Sequence, residues 1–225
     1  LRVLAVSDVV NSNLYSTRVR EMAGNVDAII SCGDLPVYYL DYLASSLLKP
    51  LYYVCGNHDH YEAQEDTGEE FLKSGIFGDI RNGSRKKHIS FGGRNLDDRV
   101  EKIGPVLVGG LEGSLLYNRG EHQYTERQMS RKILKIVPVM LMNKMVAGRF
   151  LDVLITHAPP FGIHDKKDPA HKGFKSLISF IKRYRPKYLL HGHTHIYDMT
   201  EKRIFEYEGT KVINCYDFVI LDIKV

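Results

Sequence analysis

The sequence predicts an α/β fold of mixed sheets in a single domain, and three observations carry that expectation. Short apolar runs alternate with helical patterns from Val3 to Val54, the signature of parallel strands covered by helices. Further apolar runs, Pro105 to Leu111, Val153 to Ile155 and Tyr188 to Leu190, are separated by helical segments of their own. The chain then closes with three strand-like runs, Ile204 to Tyr207, Lys211 to Cys215 and Phe218 to Ile223. These are expected to be antiparallel, with Glu208-Gly209-Thr210 as a hairpin turn.

Taken in order, Val3 to Val6 is a strand that stops at Ser7-Asp8, and a helical pattern follows from Asn13 through Val19 to Met22. Val26 to Ser31 ends at Cys32-Gly33-Asp34, with a helix through Tyr39, Leu40, Leu43 and Leu47 behind it. Leu51 to Val54 runs into Cys55-Gly56-Asn57-His58-Asp59. Residues 60 to 85 are polar, with one helix expected at Glu69 to Lys73. The basic cluster Arg81, Arg85, Lys86 and Lys87 precedes a strand-like His88 to Phe91; it reads as a solvated loop, with a phosphate-facing rim as the alternative. Thr125 to Arg149 is helical, and Thr125 with Gln128 forms a capping-box pattern. Pro138 is expected to break this segment into two helices, and the apolar Ile136 to Met142 stretch reads as buried, with Met140, Met142 and Met145 as an alternative partner surface. Gly173 to Tyr184 is amphipathic and stops before Pro186.

Composition narrows the class. The 225 residues are 44% hydrophobic and 26% charged, which excludes disordered, collagenous and coiled-coil chains. A net charge of +4 permits nucleic-acid binding without indicating it. Cys32, Cys55 and Cys215 are odd in number and each ends or interrupts an apolar run, so buried thiols in a reducing compartment are expected. The first residues run into Ser7-Asp8 with no charged leader, and no stretch reaches the ~20 apolar residues of a membrane helix, so a cytoplasmic protein without membrane contact is the expectation. Oligomeric state is not legible.

Five apolar runs end in Asp8, Asp34, Asn57, His157 and the pair His193/His195. Open α/β sheets place their sites at the carboxyl ends of strands, so residues this far apart in the chain can converge. Carboxylates, a neutral amide oxygen and imidazoles together suit Mn, Fe, Zn or Ni better than calcium. Two such ions ~3.5–4 Å apart activate water and hold the oxygens of a phosphate ester during in-line displacement.

The blocks Asp8, Gly33-Asp34, Gly56-Asn57-His58-Asp59, Thr156-His157 and Gly192-His193-Thr194-His195 resemble those of the calcineurin-like metallophosphoesterase superfamily. The resemblance implies a four-layer α-β-β-α sandwich of two mixed sheets flanked by helices. It also implies a dinuclear centre in which Asp34 bridges the ions. Asn57, His157 and His193 complete one set with it, and Asp8 and His195 serve the other. His58 would then stand near the leaving oxygen as an acid or phosphate-binding group. Two positions depart from the pattern. Val10 stands where the family's Asp-x-His block has its imidazole, and Val37 stands where the second block often has an acidic residue or asparagine. The set with Asp8 and His195 is therefore expected to hold its ion more weakly.

The function expected is metal-dependent hydrolysis of a small phosphodiester or phosphomonoester. The alternatives are a non-catalytic interaction module with a weakened metal centre, using the 125–149 helical segment as its partner surface, and a nuclease. His171, at the start of the helix before the last histidine block and beside Lys172, is a candidate substrate contact.

Overall fold

The computed structural model describes residues 1–59, 92–198 and 200–225. The Glu69 to Lys73 helix, the Arg81 to Lys87 cluster and the His88 to Phe91 strand lie outside them. Two sheets face each other. In the first, β1 (Arg2–Ser7), β2 (Ala28–Ser31), β3 (Leu51–Tyr53) and β4 (Gly93–Asn95) run parallel, and β13 (Asp217–Asp222) lies antiparallel beside β1. In the second the order is β11 (Ile204–Tyr207), β12 (Thr210–Asn214), β10 (Tyr188–His191), β9 (Val153–Thr156), β6 (Val106–Leu111) and β5 (Val100–Ile103), with the middle four parallel. A two-stranded piece, β7 (Ser114–Leu115) with β8 (Gln123–Tyr124), follows β6.

The central strands read as continuous apolar runs because both of their faces are covered. Val3, Ala5 and Ile30 meet Val108, Val153, Ile155 and Leu190 between the sheets. Leu4, Val6 and Ile29 face outward onto α1 (Val19–Ala23) and α2 (Val37–Leu47). Leu154, Leu189 and Val212 face outward onto α3 (Glu126–Ala147) and α4 (Lys175–Tyr184). The result is the four-layer sandwich, and the three cysteines are free and buried within it.

Four local expectations need correction. Helix α1 starts only at Val19, because the Asn11 side chain accepts from the Asn13 and Leu14 amides (2.9 and 3.0 Å) and turns the segment before it can coil. Helix α3 is unbroken through Pro138. Pro138 and Leu134, one turn earlier, both lie on the exposed face, so water can take up the carbonyl that the proline leaves unpaired. The same helix buries Met129, Ile133, Ile136 and Met140 but exposes Leu134 (64%), Met145 (81%) and Val146 (82%), so the apolar stretch is only half core. Finally, β13 does not continue the hairpin of β11 and β12. Arg203 holds the carbonyls of Asn214 and Tyr216 (3.1 and 2.6 Å), Asp217 turns left-handed at φ 67°, and the chain crosses to pair with β1.

The predicted ends fare better. Thr125 accepts from the Gln128 amide while the Gln128 side chain accepts from the Thr125 amide, closing the capping box. Glu208 and Gly209, at φ 51° and 78°, form the two-residue turn between β11 and β12.

Candidate metal centre

β1, β2, β3, β9 and β10 all end at one rim, and the loops that follow carry Asp8, Asp34, Asn57, His157, His193 and His195. Three of these residues, Asp8, Asp34 and His193, have left-handed backbones at φ 66°, 56° and 66°. Such conformations cost of order 1–3 kcal/mol each and persist only where surroundings enforce them. Here the enforcement is visible. The His193 amide donates to both oxygens of Asp8 (3.1 and 2.9 Å), the Gly192 amide to the His157 carbonyl (3.0 Å), and the Asp8 amide to the Gly33 carbonyl (3.2 Å).

Two glycines let these loops touch. A side chain at Gly56 would overlap the Asp34 carboxylate, and one at Gly192 would overlap Ser7 Oγ and come within 2.6 Å of Asp8 Oδ2. Gly192→Ala should therefore displace Asp8. We expect a loss of about 1–3 kcal/mol in urea unfolding together with weaker metal binding, whereas unchanged values of both would show that the loops can part freely.

Four donor atoms converge. His157 Nε2 is 3.3 Å from Asp34 Oδ2, 3.1 Å from Asn57 Oδ1 and 3.1 Å from His193 Nδ1. The opposite nitrogens are already committed: His157 Nδ1 donates to the Cys32 carbonyl (2.8 Å) and His193 Nε2 to the Ala170 carbonyl (2.6 Å). Each imidazole thus turns its other nitrogen toward its neighbour and toward a carboxylate. Such a cluster requires a cation, either a proton on His157 Nε2 or a metal ion, and the carbonyl partners orient the rings as they do for metal-ligating histidines. The electrostatics agree. Burial opposes charge on His157, but Asp34 outweighs it and raises the imidazole to about 9. Burial and the neighbouring His157 bring His193 down to about 3. Burial works to raise Asp34 too, yet His157 holds that carboxyl well below its ordinary range.

The second set is looser. His195 Nε2 lies 4.0 Å from Asp8 Oδ1, and burial raises Asp8 to about 6. Val10 packs against the β1–α2 core and Val37 opens α2, so neither offers a polar group. His58 is exposed, with its backbone amide donating to Asp34 Oδ1 (2.8 Å). The His171 ring comes within 5.2 Å of His193 and 6.4 Å of His195, centroid to centroid. A cavity of about 310 Å³ opens beside His195, lined also by His164, Lys166 and Lys202.

Several supporting residues escape a reading by motif. Asp59 accepts from the amides of Asp34, Leu35 and Gly56 (2.7, 3.1 and 2.8 Å) and clamps two site loops together. Tyr117 Oη accepts from Asn57 Nδ2 (3.2 Å), which leaves Oδ1 for the cluster. Asp59 could have been suspected from its place in the Gly-Asn-His-Asp block, but nothing in the sequence marks Tyr117. A second donor group, Cys55, Glu112 and His122, lies nearby, with Cys55 and Glu112 buried and His122 half-buried. Its carboxylate is already engaged by Tyr124 Oη, by His122 Nδ1 (3.0 Å) and by Lys132 Nζ at 4.0 Å.

Comparison with known proteins places the chain. The family model described as calcineurin-like phosphoesterase matches residues 1–197, and the protein belongs to that family. A comparison with curated protein sequences found no significant match. Among solved structures, TT1561 of Thermus thermophilus is similar at 14% identity, with 99% of each chain covered and a TM-score of 0.55. GAP50 of Plasmodium, described as the anchor in the inner membrane complex, is similar at 11% identity, with 96% of this chain and 71% of that one covered and a TM-score of 0.50. The phosphopantetheinyl hydrolase PptH of Mycobacterium tuberculosis is 15% identical over 95% of this chain and 88% of its own, at a TM-score of 0.47. At these identities the likeness is one of fold. Among the described residues no helix is long and apolar enough to cross a membrane.

Proposed function

We propose that the protein is a metal-dependent phosphoesterase acting on a small phosphodiester or phosphomonoester. One observation carries the reading: at the strand ends His157 Nε2 lies 3.1–3.3 Å from an imidazole nitrogen of His193, the amide oxygen of Asn57 and the carboxylate of Asp34. Asp34, Asn57, His157 and His193 would hold one divalent ion, and Asp34 with Asp8 and His195 a second, weaker one; Mn, Fe, Zn and Ni all suit this donor mixture. Bound there, the ions supply an activated water and neutralise phosphate oxygens. The chain's own part is to keep the donors in place before substrate arrives. Cys32 and Ala170 fix the two rings through their carbonyls, Asp59 fixes the loops, and Asn57 is turned by Tyr117. Exposed His58, tethered to Asp34 through its amide, would serve as acid or phosphate-binding group for the leaving oxygen. His171, and the cavity beside His195, receive the remainder of the ester.

The test is hydrolysis of bis(p-nitrophenyl) phosphate and p-nitrophenyl phosphate with Mn or Zn, with metal affinity followed against pH. Without an ion, His157 keeps its proton up to about 9, against an ordinary 6.5. A histidine raised in the fold contributes stability that is complete below its unfolded value and lost as pH climbs through the folded one. A metal ion must displace that proton, so its apparent affinity should rise about tenfold per pH unit from about 7 to 9 and then level. Affinity independent of pH, or no metal-dependent turnover of either ester, would count against the proposal. The Val10 and Val37 departures and the exposed apolar side of α3 favour a second reading, a non-catalytic interaction module. That reading predicts a folded protein that binds no ion and hydrolyses neither ester.

A further inference from the structure

The outer layer formed by α3 and α4 carries an apolar stripe and a charge excess that neither the core nor the metal centre uses. Between Ile133 and Met142 the only polar side chain of α3 is Lys135. A helix apolar all round is ordinarily buried, yet only one side of this one meets the core. Leu134, Leu141, Met142, Met145 and Val146 are 50–82% exposed, and six of the fifteen large apolar residues exposed among the described residues fall between 134 and 146. Leu134, Pro138, Leu141 and Met145 keep the three- and four-residue spacing of a single face, and Arg127 and Arg131 begin the same line. The charge is equally one-sided. Helices α3 and α4 hold eight Lys and Arg and one acidic residue in a chain whose net charge is +4, so the rest of the chain is net negative. Lys132 and Lys135 are matched by Asp97 and Asp98, and Glu126 accepts from the Lys175 and Ser176 amides (2.7 and 3.1 Å). Arg127, Arg131, Lys144, Lys175, Lys182 and Arg183 remain, all exposed and in no ion pair among the described residues. Leu134 and Arg183 line one groove of about 240 Å³ between the helices, so stripe and cations share a surface.

We propose that this face of α3 and α4 docks on an anionic membrane surface, the apolar stripe entering the boundary between head groups and acyl chains and the cations meeting the negative head groups. The inference stands apart from the metal centre. A helix needs no spanning length to lie on a bilayer; it needs an exposed apolar face accompanied by Lys and Arg, and α3 has both. Charge decides between occupants. A second copy would bring two positive faces together, whereas an anionic bilayer complements them, and the one acidic group of the two helices is turned to the α4 amides. Shape decides between a bilayer and an acidic protein. The stripe is the convex side of a helix, with flexible Met142 and Met145 at its far end, which suits entry into a fluid surface rather than a preformed cleft.

Co-sedimentation of the full chain with phosphatidylcholine vesicles, with and without phosphatidylserine, tests the proposal. The wild type should partition at least about 10-fold more strongly onto the anionic vesicles, and added salt should weaken that binding. Leu134→Glu combined with Met145→Glu, and Arg127→Glu combined with Arg131→Glu, should each weaken it at least about 10-fold. Arg18→Glu combined with Arg20→Glu makes the same change of charge on the opposite outer layer, at α1, and should leave binding near that of the wild type. All six side chains are exposed, and circular dichroism melting should confirm that the variants fold. No association with phosphatidylserine vesicles at low salt, or equal association with neutral ones, overturns the proposal, as does wild-type partitioning in both α3 variants. A dimer that Met145→Glu abolishes, without vesicle binding, would assign the face to a second copy. Binding of polyglutamate without vesicle binding would assign it to an acidic protein, and either result refutes the membrane reading.

Discussion

Asp34→Asn is expected to reduce metal-dependent ester hydrolysis by about 1,000-fold or more while leaving the fold intact, the loss corresponding to several kcal/mol of charge stabilisation in the transition state. Asp34 faces both proposed ligand sets, and its carboxylate lies 3.3 Å from His157 Nε2 while also accepting the His58 amide at 2.8 Å. Asparagine keeps the shape and an acceptor oxygen for that amide, but it removes the negative charge that holds His157 at about 9. The variant should therefore fold, bind less metal and carry a His157 of lower pKa. Hydrolysis of nitrophenyl esters, metal content and an NMR titration of the histidines read these three consequences separately. Wild-type turnover in the variant would refute the assignment of Asp34.

The second large effect is on stability. Lys132, on the buried side of α3, reaches Asp97 at 2.5 Å, Asp98 at 3.1 Å and Glu112 at 4.0 Å with its side chain only 8% exposed. Lys132→Met keeps most of the stem but leaves these carboxylates uncompensated, and about 3–5 kcal/mol should be lost in urea unfolding at neutral pH. The pH dependence has a definite sign. Burial, and then Glu112, raise Asp97 to about 6 even with Lys132 present. A carboxyl raised above its unfolded value contributes stability that is present below that value and lost as pH rises through the folded one. Without the lysine Asp97 rises further, so the deficit should be largest above about pH 6 and smallest near pH 4, where the carboxyls take up protons. A deficit under about 1 kcal/mol at neutral pH would mean that water reaches the cluster.

Much of the fold was legible because the central strands are covered on both faces and appear as unbroken apolar runs. Thr125 with Gln128, and Glu208 with Gly209, act within a few residues of chain, and both formed as expected. Expectations failed where a side-chain turn, solvent exposure or a distant contact overrode the pattern along the chain. Pro138 leaves α3 unbroken because its neighbours face water rather than protein, and β13 leaves its hairpin because the edge of β1 and the Arg203 contacts draw it across. Asn11 is held by its own turn and by Asp217 (2.9 Å).

The same division holds in the candidate site. The sequence by itself determined which donors are available, and the alternation of strand and helix determined that they lie at strand ends. Only the tertiary structure decided which nitrogen of each imidazole is free, because the partners that settle it, the carbonyls of Cys32 and Ala170, stand 125 and 23 residues away from His157 and His193. It also decided that His171 lies beside His193 and His195 while Val10, partly buried, packs against the core. A ligand set is a list of side chains and can be read along a chain. Its geometry depends on hydrogen bonds between segments that only folding brings together.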